Sequence, residues 1–151
     1  MTPALDQVSD HDLDREYRRR FFLRAGVTVD HSQAAAQHFT ALFAAEPDRE
    51  CFALLYLNHQ NGLLHSEILF KGSLSEAPVY PREIIKRAFQ HQAAALICAH
   101  NHPSGLLHPS PDDREVTTRI RRACETVAIT LHDHLIISGQ GWFSFADEGL
   151  L

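Results

Sequence analysis

The sequence His100-Asn101-His102-Pro103-Ser104-Gly105-Leu106-Leu107-His108-Pro109-Ser110-Pro111-Asp112-Asp113 decides how the chain is read. It follows an apolar run over residues 93–99 (A-A-A-L-I-C-A), of strand length, and leads into a helical pattern. Side chains in a strand repeat every two residues, so His100 and His102 leave the strand end on one side. Asp113 arrives from the next element. Two imidazoles and a carboxylate are the ligand set of a catalytic zinc, which keeps its fourth position for water. The stretch therefore predicts a hydrolytic metal site held by His100, His102 and Asp113.

A plainer reading covers part of the same residues. Ser110-Pro111-Asp112-Asp113 is a helix start, with serine as N-cap, proline at the first helical position and carboxylates in the first turn. Asp113 at the third position can reach back in a capping box, although Glu or Gln is preferred there. Pro103-Ser104-Gly105 is ordinary turn chemistry. Capping accounts for Ser110 and Asp113 but not for two histidines beside a buried strand, which are costly there without partners.

His100-Asn101-His102-Pro103, six residues, Ser110, two residues and Asp113 make up H-x-H-P-x6-S-x-x-D. This resembles the JAMM motif of the JAB/MPN metalloprotease superfamily. H-N-H-P-S-G, with Pro81-Arg82-Glu83 upstream and L-x-D-H-L-I-I from Leu131 to Ile137 downstream, is similar to the bacterial RadC branch. The resemblance spans residues 50–151. It implies a JAB/MPN-like mixed β-sheet flanked by helices, a cytidine-deaminase-like architecture, with zinc as cofactor and hydrolysis of peptide or isopeptide bonds. The departure from the pattern is Leu106-Leu107-His108, where acidic or polar residues are usual. It lies outside the ligand positions and bears on substrate preference.

Hydrophobic periodicity gives the same architecture. Cys51–Leu57 (C-F-A-L-L-Y-L) is continuously apolar, as a central strand covered on both faces should be. A turn over residues 58–62 and a second strand over 63–70 make a hairpin. Residues 72–78 read as a loop, and Pro81 opens a helix with Ile84, Ile85, Ala88 and Phe89 inward. A helix over 111–127 follows the metal loop, and strands over 129–138 and 142–146 close a last hairpin across Gly139-Gln140-Gly141. The expected class is α/β, an α+β layered domain over residues 49–151. Residues 1–48 read as an N-terminal helical extension. A charged helix over residues 11–24 is expected to dock on the domain or on a second copy of it, as in a homodimer. A second helix, capped at Asp30-His31-Ser32, presents Ala35, Phe39, Leu42 and Phe43. The RadC resemblance implies a helix-hairpin-helix upstream, but no paired G-x-G hairpin occurs here, so a short single-domain member is expected.

Hydrolysis also needs a proton carrier. Glu50, Glu67, Glu76 and Glu83 are candidates. Glu50 directly precedes a buried strand, where the resemblance places the catalytic glutamate; Glu67, inside the second strand, ranks next; Glu83 suits a first helical turn in any case. Ser110, with one donor and two lone pairs, can cap the helix and still donate to an oxyanion. His134 is a candidate to orient a ligand through a hydrogen bond, although a satisfied strand histidine is the commoner outcome. His108 is an alternative ligand on a loop. His11, His31, His38, His59, His65 and His91 are expected at the surface.

A net charge of -5 implies no general attraction to nucleic acid, and Arg18-Arg19-Arg20 and the basic run at 119–122 read as solvated helix faces. The RadC resemblance carries a traditional association with DNA repair, which leaves a DNA-associated protein as an alternative beside a non-catalytic zinc-bearing interaction module. The deaminase pattern H-x-E with P-C-x-x-C is absent. Cys51, Cys98 and Cys124 lack metal spacing and read as buried thiols of a cytoplasmic protein. No apolar run reaches membrane-spanning length and no signal peptide is evident. The expected partner is a peptide or protein substrate.

Overall fold

All seven residues of Cys51–Leu57 are buried as strand β1, because strands flank it on both edges and helices cover both its faces. The computed structural model describes residues 4–72 and 79–151. The loop expected over 72–78 lies outside the described residues except for Gly72, and so does Glu76. In chain order a one-turn helix (Leu5–Gln7) precedes α1 (Asp10–Phe21), α2 (Ser32–Phe43), β1, β2 (Leu63–Lys71), α3 (Pro81–Gln90), β3 (Ala95–Asn101), α4 (Pro111–Thr126), β4 (Thr130–Ser138) and β5 (Gly141–Ser144). The sheet order is β2-β1-β3-β4-β5. β1 pairs antiparallel with β2 and with β3, β3 and β4 are parallel, and β5 returns antiparallel on β4. This is the mixed, helix-flanked sheet expected.

Strand alternation divides the core into two. Ala53, Leu55, Leu57, Ile97, Leu135 and Ile137 pack under Ala35, Ala36, Phe39 and Phe43 of α2. Phe52, Leu54, Tyr56, Leu96 and Cys98 face Ile84 and Ala88 of α3 and Ile120 and Cys124 of α4. The first fifty residues thus play two parts: α2 supplies one whole layer of the core, whereas α1 buries no residue. α1 is tied to the domain by the stretch that follows it. Phe22 packs on the His38 ring at 4.1 Å, and the Leu23 amide donates to His38 Nδ1 at 2.8 Å. Expected at the surface, His38 is instead fully buried. It lies three residues after Ala35 on the apolar face of α2, and its Nε2 pairs with Ser66 at 2.9 Å.

β3 begins at Ala95, two residues later than expected, because α3 ends in a Schellman motif. Gln92 adopts φ 55°, with Ala93 N–H donating to Ala88 C=O and Gln92 N–H to Phe89 C=O. α4 ends the same way at Ala128, φ 59°, with Ile129 N–H on Cys124 C=O. Neither position carries the glycine that such an end prefers.

Two predictions arise from these packing details. Ala128→Gly should relieve left-handed strain at an exposed helix end and stabilise the fold by roughly 0.5–1 kcal/mol, read as a rise of about 1–4 °C in Tm. Burial holds the His38 imidazole down at about 4. The unfolded chain therefore takes up this proton near pH 6.5, before the folded protein does, and the stability contribution present above that pH is lost as pH falls toward 4. Denaturant titrations should show about 2 kcal/mol less from this group at pH 5 than at pH 7. His38→Asn should flatten the stability–pH slope by that amount; an unchanged slope would refute the assignment.

Candidate metal centre

The carboxyl end of β3 is where the sheet changes from antiparallel to parallel pairing, and the chain leaves it for α4. His100 is in the last turn of strand pairing, opposite Ile136 of β4. His102 is held one step beyond, its amide donating to Ile137 C=O at 2.8 Å. The loop returns to Ser110, which caps α4 and brings Asp113 back over the histidines. The capping box is complete: Asp113 N–H donates to Ser110 Oγ at 3.1 Å, and Ser110 N–H donates to Asp113 Oδ2 at 2.8 Å. Capping and clustering are therefore one arrangement.

His100, His102 and Asp113 converge. His100 Nε2 is 3.3 Å from Asp113 Oδ1, His102 Nε2 is 3.4 Å from Asp113 Oδ2, and the two Nε2 atoms are 2.9 Å apart. Adjacent ligand atoms around a tetrahedral zinc stand about 3.3 Å apart, given metal–ligand distances of about 2.0–2.1 Å. Burial alone would push the Asp113 carboxyl up, but the close approach of His100 and His102 outweighs it and holds the group well below the usual carboxylate range. His102 is raised, by its Asp113 contact first.

The surrounding hydrogen bonds fix where each ring proton sits. Leu106 C=O can only accept, so His102 Nδ1, 2.7 Å away, carries a hydrogen, and in the neutral ring Nε2 presents a lone pair. Thr117 Oγ1 donates to Asp113 C=O at 2.6 Å and so accepts from His134 Nδ1 at 2.5 Å. His134 Nε2 then accepts from His100 Nδ1 at 2.7 Å, leaving the His100 Nε2 lone pair facing the cluster. Complete burial, and then the charge of His100, drives His134 well below its ordinary value and keeps it neutral. As neutral rings the two histidines present lone pairs 2.9 Å apart beside an ionised carboxylate, an arrangement that a shared proton or a metal cation satisfies. The donor set thus fits a borderline transition metal.

Glu50 sits immediately before β1, and its charge contributes to raising His102. A residue that sequence reasoning missed holds it there. The Asn101 side chain accepts from Cys51 N–H at 2.6 Å and donates to Arg49 C=O at 2.7 Å, bracketing Glu50 on both sides. Asn101 continues the β1–β3 ladder one rung beyond Phe52 and His100, with an amide side chain in place of a peptide. Glu67 is engaged elsewhere, by Tyr56 and Arg87. Glu83 occupies the first turn of α3, and His108 is not among the clustered groups. Thr117 was also missed; its place four residues after Asp113, on the same helical face, is the signal that could have found it. The Leu106-Leu107 departure has a structural part, since Leu106 supplies the carbonyl for His102 while its side chain is 66% exposed.

Residues 29–150 match the family model of the RadC-like JAB domain. UPF0758 protein YfjY of Escherichia coli (strain K12) is 46% identical over 152 residues, covering 99% of this chain and 94% of that protein. UPF0758 protein YeeS of the same strain is 49% identical over 120 residues, 80% of this chain and 81% of its own length. A UPF0758 protein of Coxiella burnetii (strain Dugway 5J108-111) is 44% identical over 140 residues, and the match spans 62% of that longer relative. None of these names states an activity.

Because Thr117 sets the His134 and His100 tautomers, Thr117→Val should weaken metal binding by about 10–100-fold while leaving the ligands in place. Zinc affinity measured by competition with a chromogenic chelator checks this; equal affinities would show that the relay does not prepare His100.

Proposed function

The chain belongs to the RadC-like JAB family, and from that premise we propose that it is a zinc-dependent hydrolase of the JAMM type, a metallopeptidase acting on peptide or isopeptide bonds. The observation that carries the proposal is the pair of imidazole lone pairs and the ionised Asp113 facing one point. His100, His102 and Asp113 would hold the zinc, which when bound supplies Lewis acidity toward a carbonyl oxygen and lowers the pKa of a water.

The protein's own groups do the rest. Glu50 takes a proton from the attacking water and returns it to the leaving nitrogen, so the amine departs neutral. Ser110 Oγ accepts from the Asp113 amide, and its hydroxyl hydrogen is left to donate to the oxyanion. Asn101 keeps the Glu50 backbone in register with the histidines. A groove of about 380 Å³, lined by Phe43, Pro47, Pro103 and Ile137, runs up to His102 and Asn101 and offers an extended peptide an apolar floor. The acidic balance of the chain weighs against the DNA-binding alternative.

Elemental analysis of the purified protein should find close to one zinc per chain, lost in His102→Ala and in Asp113→Ala. Glu50→Gln should keep the metal and lower cleavage of a fluorogenic peptide or isopeptide library by about 10²–10⁴-fold. Wild-type protein that takes up no divalent metal even after reconstitution would overturn the proposal.

A further inference from the structure

The far end of the β1–β2 hairpin carries a second constellation. His65 and Glu67 stand two residues apart on β2 and leave it on one side, and His91 caps the C-terminus of α3 beside them. One ligand atom from each lies within 4.8 Å of the other two. The His65 and His91 rings stack with centroids 4.4 Å apart, and His91 also lies against the Tyr56 ring at 4.5 Å. The Glu67 carboxylate is aimed by Tyr56 O–H at 2.6 Å and by Arg87 Nε and Nη2, as carboxylate ligands commonly are oriented by donors behind them. Tyr56 pairs with Leu96 and Phe52 with His100, so this cluster sits about 13 Å along β1 from the level of His100.

A structural bracket accounts for Tyr56, Glu67 and Arg87, which tie β1, β2 and α3 together. It does not account for the histidines. His91 Nε2 is the one buried side-chain nitrogen or oxygen without a hydrogen-bond partner among the described residues, and an unmet buried polar atom is costly. His65 Nε2 stands 3.8 Å from Glu67 Oε2, with no closer carboxylate among the described residues.

We propose that His65, Glu67 and His91 form a second divalent-metal site, suited by its two imidazoles to zinc, nickel or copper and not to magnesium or calcium. Arg87 shares the carboxylate and places a positive charge beside the ion, so this site is the weaker of the two. Occupancy satisfies His91 Nε2 and clamps β2 to the end of α3. The inference stands apart from the hydrolase proposal and uses none of its residues.

Zinc titration by calorimetry tests it. Wild-type protein should take up a second equivalent at least tenfold more weakly than the first, and His102→Ala should retain that weaker equivalent alone. His65→Ala and His91→Phe should each lose the second equivalent and keep the first, which also shows that both variants fold. Arg87→Met should tighten the second equivalent several-fold, whereas a purely structural bracket would only be loosened. A wild type that takes up no second equivalent, or one whose second equivalent survives both histidine substitutions, overturns the proposal. Because the His102→Ala protein reads the hairpin site by itself, failure of the buried centre and failure of this site are told apart.

Discussion

Two imidazole nitrogens 2.9 Å apart, each ring's hydrogen committed to a carbonyl or to another histidine, set the terms for everything around them. Such a pair repels unless something positive stands between. The fold adds a carboxylate from α4, which favours a cation at that point, and a relay through His134 and Thr117 that ends on the carbonyl of that same carboxylate residue. The relay is closed: its last acceptor belongs to Asp113, so carboxylate, cap and tautomer control share the first two turns of α4.

Sheet topology makes this closure available. A parallel β3–α4–β4 crossover carries the chain off the carboxyl end of one strand and returns it along the next, putting the start of α4 over the exit of β3. Open α/β sheets commonly place ligands at such a point. The antiparallel neighbour β1 adds what the crossover lacks, a carboxylate from the opposite chain direction. Its entry is fixed where Asn101 substitutes a side-chain amide for a missing rung of the ladder.

How much of this was legible in the sequence depended on distance along the chain. His100, His102, Ser110 and Asp113 fall within fourteen residues, so strand period and capping chemistry sufficed to bring them together. β1 declared itself by seven unbroken apolar residues. Glu50 could be ranked above Glu67 only through the resemblance, because nothing local reports that Tyr56 and Arg87 have taken the latter. His38 was misplaced because a histidine was assumed polar, although its i+3 spacing from Ala35 set it on the buried face. The late start of β3 was hidden because Gln92 fills a left-handed position where glycine is the legible sign.

Ser110 begins α4, and that has an electrostatic meaning beyond capping. A helix of sixteen residues ends at its N-terminus in a partial positive charge of about half an electron. That end carries Asp113, whose carboxylate stands in the cluster. In the hydrolase proposed above, a neutral substrate would gain little from such a field, whereas negative charge developing on an oxygen would be drawn to it. The macrodipole of α4 would then favour a charged transition state over an uncharged ground state, a contribution made by the backbone and not by any one side chain.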